Sequence, residues 1–356
     1  MITLKTVPIK NVYNMFVYAF ELSKLREYKR LDYERCENIY DLLASLLLSG
    51  TQALIKRGLL KNYINQNEER TFLRGKIDVS SSIRRLSFQN ASAICDFDEF
   101  SANILFNQIL KAALLYLSRQ PLEKNIKSDI SKTLMYFNEI DTIQIKTFKW
   151  DILVFNRNNF HYDTLMHFCR LICEDSIANE DKGEKIFKTI DTVLSTLFER
   201  FIYGFYKKHR ADLYVKHGKL IEWNSNDYSG HDRPPRMKSD IMIVNDTLKL
   251  IIDTKFYRET LDKISENLYQ IFAYVKNEAA ADKNRMLMGM LLYPQVNGKV
   301  TRLYMLDGHK FYVQTVDLNQ EFSDIKRELL EICGLIFDCQ AVNIVPMNAL
   351  PIAISP

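Results

Sequence analysis

Lys238-Ser239-Asp240-Ile241-Met242-Ile243-Val244-Asn245-Asp246-Thr247-Leu248-Lys249-Leu250-Ile251-Ile252-Asp253-Thr254-Lys255 reads as two apolar runs around a turn, with acidic residues near the outer ends. Asn245-Asp246 has turn chemistry, so the stretch is predicted to be two antiparallel strands joined by a two-residue loop. With Val244 facing Thr247, Asp240 falls opposite Ile251. Side chains alternate along a strand, so Asp240, Ile251, Asp253 and Lys255 share one face. Asp240 and Asp253 become diagonal neighbours about 7–8 Å apart, close enough to share one divalent cation after small adjustment. A slip of one residue would scatter them.

Two converging carboxylates repel unless a proton or a cation intervenes. Oxygen ligands of this kind suit magnesium, which keeps several waters and takes one or two carboxylates plus phosphate oxygens. Lys255, on the same face, is placed to orient an attacking water and to stabilise charge developing on phosphorus. The trio reads as metal-assisted phosphodiester hydrolysis, and the same pattern is also met by a solvated hairpin face. Two flanking features favour a site. Leu250-Ile251-Ile252 is a continuous apolar run of the kind buried on both faces, and charges at the end of such a strand lie where α/β folds place ligands. Helical spacing then puts Glu199 in the middle of residues 192–208, and Gln270 and Tyr274 on one face of a helix beginning near Glu266.

The chain has 356 residues, 47% of them hydrophobic, and a formal net charge of +4. That length accommodates two domains with a core each. The charge is too small to argue for nucleic acid alone, and local clusters carry that reading: Lys207-Lys208-His209-Arg210, and His231 to Lys238 with Arg233, Arg236 and Lys238 as phosphate contacts. The six cysteines form no C-x-x-C pair; Cys169 and Cys173, with His167, read as helix core rather than zinc ligands. Reduced thiols and the lack of signal-peptide organisation at Met1 to Lys5 point to a cytoplasmic protein. Asn107, Gln108 and Lys111 interrupt the apolar stretch Ile104 to Leu117, which is too short to span a bilayer, so no membrane role is expected.

The first half reads as helices at Ile9 to Ser23 and Asp41 to Arg57. A β-hairpin follows, with strands Leu59 to Asn65 and Thr71 to Val79 around the polar tip Gln66 to Arg70. Asp96, Asp98 and Glu99 read as dipole partners of a helix beginning near Ser101. Helices fill most of residues 122–176, and the charged run Ala178 to Lys185 marks a boundary. The expected division is an N-terminal domain, 1–180, an α/β domain with a mixed central sheet, 188–340, and a tail, 341–356. Strands at Met286 to Tyr293 and Val300 to Leu306 and a helix at Glu321 to Phe337 complete the second domain.

Glu199, Asp240, Asp253 with Lys255, and Gln270 with Tyr274 follow in the order of the PD-(D/E)xK nuclease superfamily, which this segment resembles. The proline of that family's first motif is absent: Ser239 precedes Asp240, and Pro234-Pro235 lies upstream. Val7 to Phe20, Arg57-Gly58-Leu59, Arg74-Gly75-Lys76-Ile77-Asp78, Asp253 to Tyr257 and Asn267 to Gln270 extend the likeness over nearly the whole chain, to the McrC subunits of McrBC methylcytosine-specific restriction systems. The resemblance implies an α/β nuclease domain holding Mg2+ through Asp240, Asp253, the Thr254 carbonyl and, through water, Glu199, with Lys255 positioning the nucleophile and Gln270 and Tyr274 supporting it. It implies a helix-rich adaptor that binds a hexameric McrB-like AAA+ GTPase, with Arg70, Arg74 and Lys76 as contacts. It also implies double-stranded DNA with modified cytosine as substrate, room for two nuclease subunits in the assembly, and a bacterial or archaeal cytoplasm. The chain has no G-x-x-x-x-G-K-[ST] loop, so GTP would be bound by the partner. A non-catalytic GTPase activator and a stand-alone structure-specific repair nuclease are the alternatives.

Overall fold

The computed structural model describes residues 7–29, 33–144, 148–179, 186–224, 234–256, 264–296 and 298–338. The chain divides into two compact units between Leu197 and Phe198, and the first fourteen residues belong with the second unit. Arg233, the centre of the run 178–185 and the tail from residue 341 lie outside the described residues.

The chain begins with α1 (Ile9–Ala19), and the first unit continues through α2 (Ile39–Arg57), β1 (Asn62–Arg70), β2 (Lys76–Ile77), α3 (Val79–Arg84), β3 (Ala93–Ser101), α4 (Leu105–Ser118), α5 (Lys124–Leu134) and α6 (Asp163–Asn179). Asn38 caps α2 by accepting from Asp41 N at 3.0 Å, and the leucines at 42, 43, 46 and 47 are buried. Such a cap satisfies one of the orphan donors of the first turn. The polar interruption of α4 is an anchor. Asn107, fully buried, donates to the Leu60 and Ala102 carbonyls and accepts from the Tyr162 hydroxyl.

The expected hairpin is not formed. Residues 66–70 are the second half of β1, which pairs antiparallel with β3 along its whole length, while β2 lies on the other side of β3. Polar residues of low strand propensity read as a tip, but a nine-residue ladder with β3 outweighs that preference. The true turn is Thr71 to Gly75, and Gly75 takes φ +72°. Asp96, Asp98 and Glu99 accordingly belong to a strand, not to a helix start. Cys95 and Phe97 are buried between them, the period-two pattern of a half-buried strand.

The second unit contains the rest of α7 (Ile186–His209), then β4 (Tyr214–His217), β5 (Leu220–Ile221), β6 (Met237–Lys238), β7 (Ile241–Val244), β8 (Leu248–Thr254), α8 (Ile264–Ala281), β9 (Met286–Pro294), β10 (Thr301–Leu306), β11 (His309–Val316) and α9 (Phe322–Phe337). Its six-stranded sheet has the order β10-β11-β9-β8-β7-β4, with β8, β9 and β11 parallel and the outer pairings antiparallel. The architecture is α/β with a mixed sheet. α8 is the crossover between β8 and β9 and packs Ile271 and Val275 onto Met242, Ile251, Leu291 and Phe311. Gly289 in β9 allows this: a Cβ there would lie 2.7 Å from a Phe311 ring carbon. Every residue of β8 is buried, as its unbroken apolar run requires. Strand β4 carries too few alternating apolar residues to stand out in the sequence, whereas Phe311-Tyr312-Val313 and Thr315-Val316 in β11 do carry strand propensity.

Candidate active site

The β7–β8 turn is wider than predicted. Val244 pairs with Lys249 rather than Thr247, and Asn245 closes the loop by accepting from Thr247 N at 3.0 Å and Leu248 N at 2.7 Å. A two-residue I′ loop needs positive φ at both central positions; neither Asn245 nor Asp246 adopts one. The slip is two residues, so the side-chain faces are preserved. Continuing the ladder one step past Ile241–Ile252 brings Asp240 directly opposite Asp253, closer than the diagonal expected from the shorter loop.

Asp240 Oδ2 accepts from Thr254 N at 2.7 Å and from Thr254 Oγ1 at 2.9 Å. Thr254 thus meets Asp240 through its amide and hydroxyl. Asp253 is 1% exposed; its Oδ2 is sealed from solvent without a directed hydrogen bond and lies 2.8 Å from Lys255 Nζ. Lys255 Nζ also donates to Gln270 Oε1 at 3.0 Å, and Gln270 Nε2 donates to the Tyr274 hydroxyl at 2.6 Å. Carboxylate, ammonium, amide and phenol form one connected row.

Burial, with Asp253 and Glu199 nearby, pushes Asp240 up to about 7, against the lowering effect of the Thr254 bonds. Asp253 is raised as well, by burial first; Lys255 opposes the shift and Glu199 adds to it. Burial also raises Tyr274. With two facing carboxyl groups and Glu199 beside one ammonium, the site favours uptake of a proton or a cation. Among the described residues no three His, Cys, Asp or Glu side chains converge closely enough to hold a metal by themselves. A buried carboxylate pair sharing a single ammonium instead fits a cation that completes its shell with water, backbone oxygen and substrate, as magnesium does.

Glu199, on α7, lies near enough to act electrostatically on both aspartates, and its Oε1 is 2.8 Å from His217 Nε2. His217 was not legible as a site residue: Tyr214 to His217 has no ligand spacing. Lys249, also missed, did carry a signal. A lysine inside a buried strand needs a partner, and it has two: Nζ lies 2.7 Å from Glu278 Oε1 and 2.6 Å from Asp282 Oδ2. Arg236 and Lys238 are exposed beside β6. In the other unit, Arg70 and Arg74 lie over the Phe97 ring, at 4.8 and 4.6 Å from its centroid, and the exposed Lys76 pairs in register with Asp96.

Among the described residues, no helix is long and apolar enough to cross a membrane. In comparisons with known proteins, the Escherichia coli (strain K12) type IV methyl-directed restriction enzyme EcoKMcrBC is 26% identical over 341 residues, which cover 92% of this chain and 97% of that protein. A chain of the refined half-complex from a tetradecameric assembly of Thermococcus gammatolerans McrB AAA+ hexamers with bound McrC is similar with a TM-score of 0.46 and 18% identity, covering 91% of this chain and 76% of that one. A chain of the cryo-EM structure of the Thermococcus gammatolerans McrBC complex is similar with a TM-score of 0.39 and 21% identity, covering 56% and 58%. The family model for the McrBC 5-methylcytosine restriction system component matches residues 10–294, and the chain belongs to that family.

Proposed function

We propose that this chain is the Mg-dependent endonuclease subunit of a modified-cytosine-dependent restriction complex, and that it binds and stimulates an McrB-like AAA+ GTPase. The observation that carries the nuclease reading is the face-to-face placement of Asp240 and Asp253 at the end of the buried strand, with Lys255 held between Asp253 and Gln270. Asp240 and Asp253 would hold magnesium, helped by the Thr254 carbonyl and by Glu199 through water. Bound there, the cation supplies Lewis acidity and charge neutralisation at a phosphate oxygen. Lys255 orients the attacking water and offsets charge developing on phosphorus; Gln270 fixes the ammonium, and Tyr274 fixes Gln270. Arg233, Arg236 and Lys238 would contact DNA phosphates, which position the duplex without reading its sequence.

The partnership rests on family membership, on the absence of a phosphate-binding loop from the sequence, and on the McrB AAA+ hexamers named for a similar solved structure. The deciding experiment is cleavage of methylated and unmethylated plasmid by this chain, with and without an McrB-like GTPase from the same organism. Methylation-dependent cleavage that needs both proteins, GTP and Mg2+ is expected. Cleavage by the chain alone would favour a stand-alone nuclease; GTPase stimulation without any cleavage would favour a non-catalytic activator.

A further inference from the structure

Building on the nuclease reading, we propose that His217 is a positioning residue of the cation site: it holds Glu199 toward the Asp240–Asp253 pair, so that this third carboxylate acts on a divalent cation through water. His217 ends β4, where it pairs with Ile241, the residue after Asp240, and Gly218 N donates to the Asp240 carbonyl at 2.8 Å. The imidazole is thereby fixed to the same strand end as the carboxylate pair. Its Nε2 is sealed from solvent, makes no directed hydrogen bond among the described residues, and lies 2.8 Å from Glu199 Oε1. Tyr203, one helical turn beyond Glu199, packs its ring 5.1 Å from the imidazole centroid. One turn of α7 therefore holds His217 between the Glu199 carboxyl group and the Tyr203 ring.

The need for such a grip follows from electrostatics. Two aspartates on one face at the same strand end repel any third carboxylate brought near them, and an unrestrained Glu199, with a quarter of its side chain exposed, would relieve the repulsion by turning to solvent. A cross-strand histidine opposes that rotation. Residues that orient a ligand in this way are typically worth about 10–100-fold in metal affinity. Because the three acidic side chains do not converge on one point, the effect belongs at the lower end of that range.

The test is titration of the full-length chain with Mn2+ by calorimetry, alongside thermal unfolding. Wild type is expected to bind one cation per chain, His217→Ala to lose about 10-fold in affinity, and His217→Gln, which keeps a donor toward Glu199, to recover most of it. Glu199→Gln should lose a similar factor, and the double variant His217→Ala/Glu199→Gln no more than either single, since both changes remove one interaction. Wild-type affinity in His217→Ala, or a double variant whose loss is the product of the singles, overturns the positioning role while leaving the nuclease reading in place. Absence of cation binding by wild type, or binding unaffected by Asp253→Ala, overturns both. Should His217→Ala fail to unfold cooperatively, Glu199→Gln decides: unchanged affinity removes the role.

Discussion

Lys249 in β8 and Lys255, the residue after that strand, both reach the same side of α8, the first meeting Glu278 and, just past the helix end, Asp282, and the second Gln270. The six residue steps from Lys249 to Lys255 span about 20 Å of extended chain, and the twelve steps from Gln270 to Asp282, just past the end of α8, span about 18 Å at helical rise. Strand and helix are thus matched in length and pinned at both ends. One end is a buried ion cluster, joined by Lys219 and Arg285; the other is the candidate active site. The cluster sets the height and rotation of α8, and so the reach of Gln270 and Tyr274.

That arrangement predicts an asymmetry between two substitutions. Glu278→Ala removes the counter-ion of Lys219 and leaves the buried Lys249 with Asp282 alone, and should cost about 3 kcal/mol, the low end of the range for breaking a buried pair. Lys249→Met leaves Glu278 with Lys219 and Asp282 with Arg285, and places an apolar chain in an apolar strand; it should cost less than about 2 kcal/mol. Urea unfolding of both variants checks the order, and a reversed order would show that the cluster does not secure the helix.

The same cluster predicts acid sensitivity. Hydrogen bonding from Lys249, and then from Arg285, lowers Asp282 to about 2 despite some burial. Burial raises Glu278, but its bonds to Lys219 and Lys249 outweigh this and leave it below its usual value. A carboxylate whose pKa is lower in the folded state binds its proton more readily when unfolded, so its contribution is complete above the unfolded value, about 4, and is lost as pH falls toward about 2. Melting temperature should therefore drop across that window more steeply in wild type than in the double variant Glu278→Gln/Asp282→Asn. Parallel curves would count against this assignment.

The active-site carboxylates predict the opposite trade. Asp253 is buried against Asp240 and its proton affinity is raised, so the pair is a source of repulsion in the metal-free chain. Asp253→Asn should stabilise that chain by about 1 kcal/mol, the usual scale of a stability–function trade-off, while abolishing cleavage. Wild type should gain melting temperature on addition of Mg2+, and Asp253→Asn should not. A variant that is destabilised, or that still cuts DNA, would contradict the assignment.

How much of this was legible depended on period and parity. Asp240, Asp253 and Lys255 could be placed on one face because alternation survives an error of two residues in the register, and the Asn245 loop introduced just such an error. Gln270 and Tyr274 followed from helical spacing. The three-stranded sheet of the first unit was not legible, since Gln66 to Arg70 has turn-like composition and forms a strand only because β3, more than twenty residues later, offers a full-length partner. His217 was invisible for a related reason: its importance comes from Glu199, on another element, and leaves no local spacing.

The row from Lys255 to Tyr274 predicts graded effects. Gln270→Ala removes the acceptor that draws Lys255 away from its ion pair with Asp253, and cleavage should fall about 10–100-fold, the range seen when a supporting partner is lost. Tyr274→Phe removes only the group that orients Gln270, and a loss below about 10-fold is expected. Single-turnover cleavage in the assembled complex separates the two. A Tyr274→Phe defect as deep as that of Gln270→Ala would place the phenol in contact with substrate.

The last prediction concerns contact with the proposed GTPase. Deleting residues 66–70, attractive when they read as a hairpin tip, would cut half of β1 out of its ladder with β3 and unfold the sheet, so a lost activity would say nothing about docking. Reversing Arg74 would also remove its contact with Phe97, and reversing Lys76 would set like charge opposite Asp96. The turn itself offers a cleaner handle. Phe72 and Leu73 are 67% and 65% exposed, adjacent large apolar side chains in the turn between β1 and β2. Phe72→Asp/Leu73→Asp should therefore leave thermal unfolding unchanged while reducing stimulation of GTP hydrolysis at least about 10-fold, the scale expected when about 1.4 kcal/mol or more of apolar contact is lost. Cleavage that depends on the GTPase should fall with it, while Mn2+ binding at Asp240 and Asp253 stays intact. Stimulation at the wild-type level would move the contact off this turn.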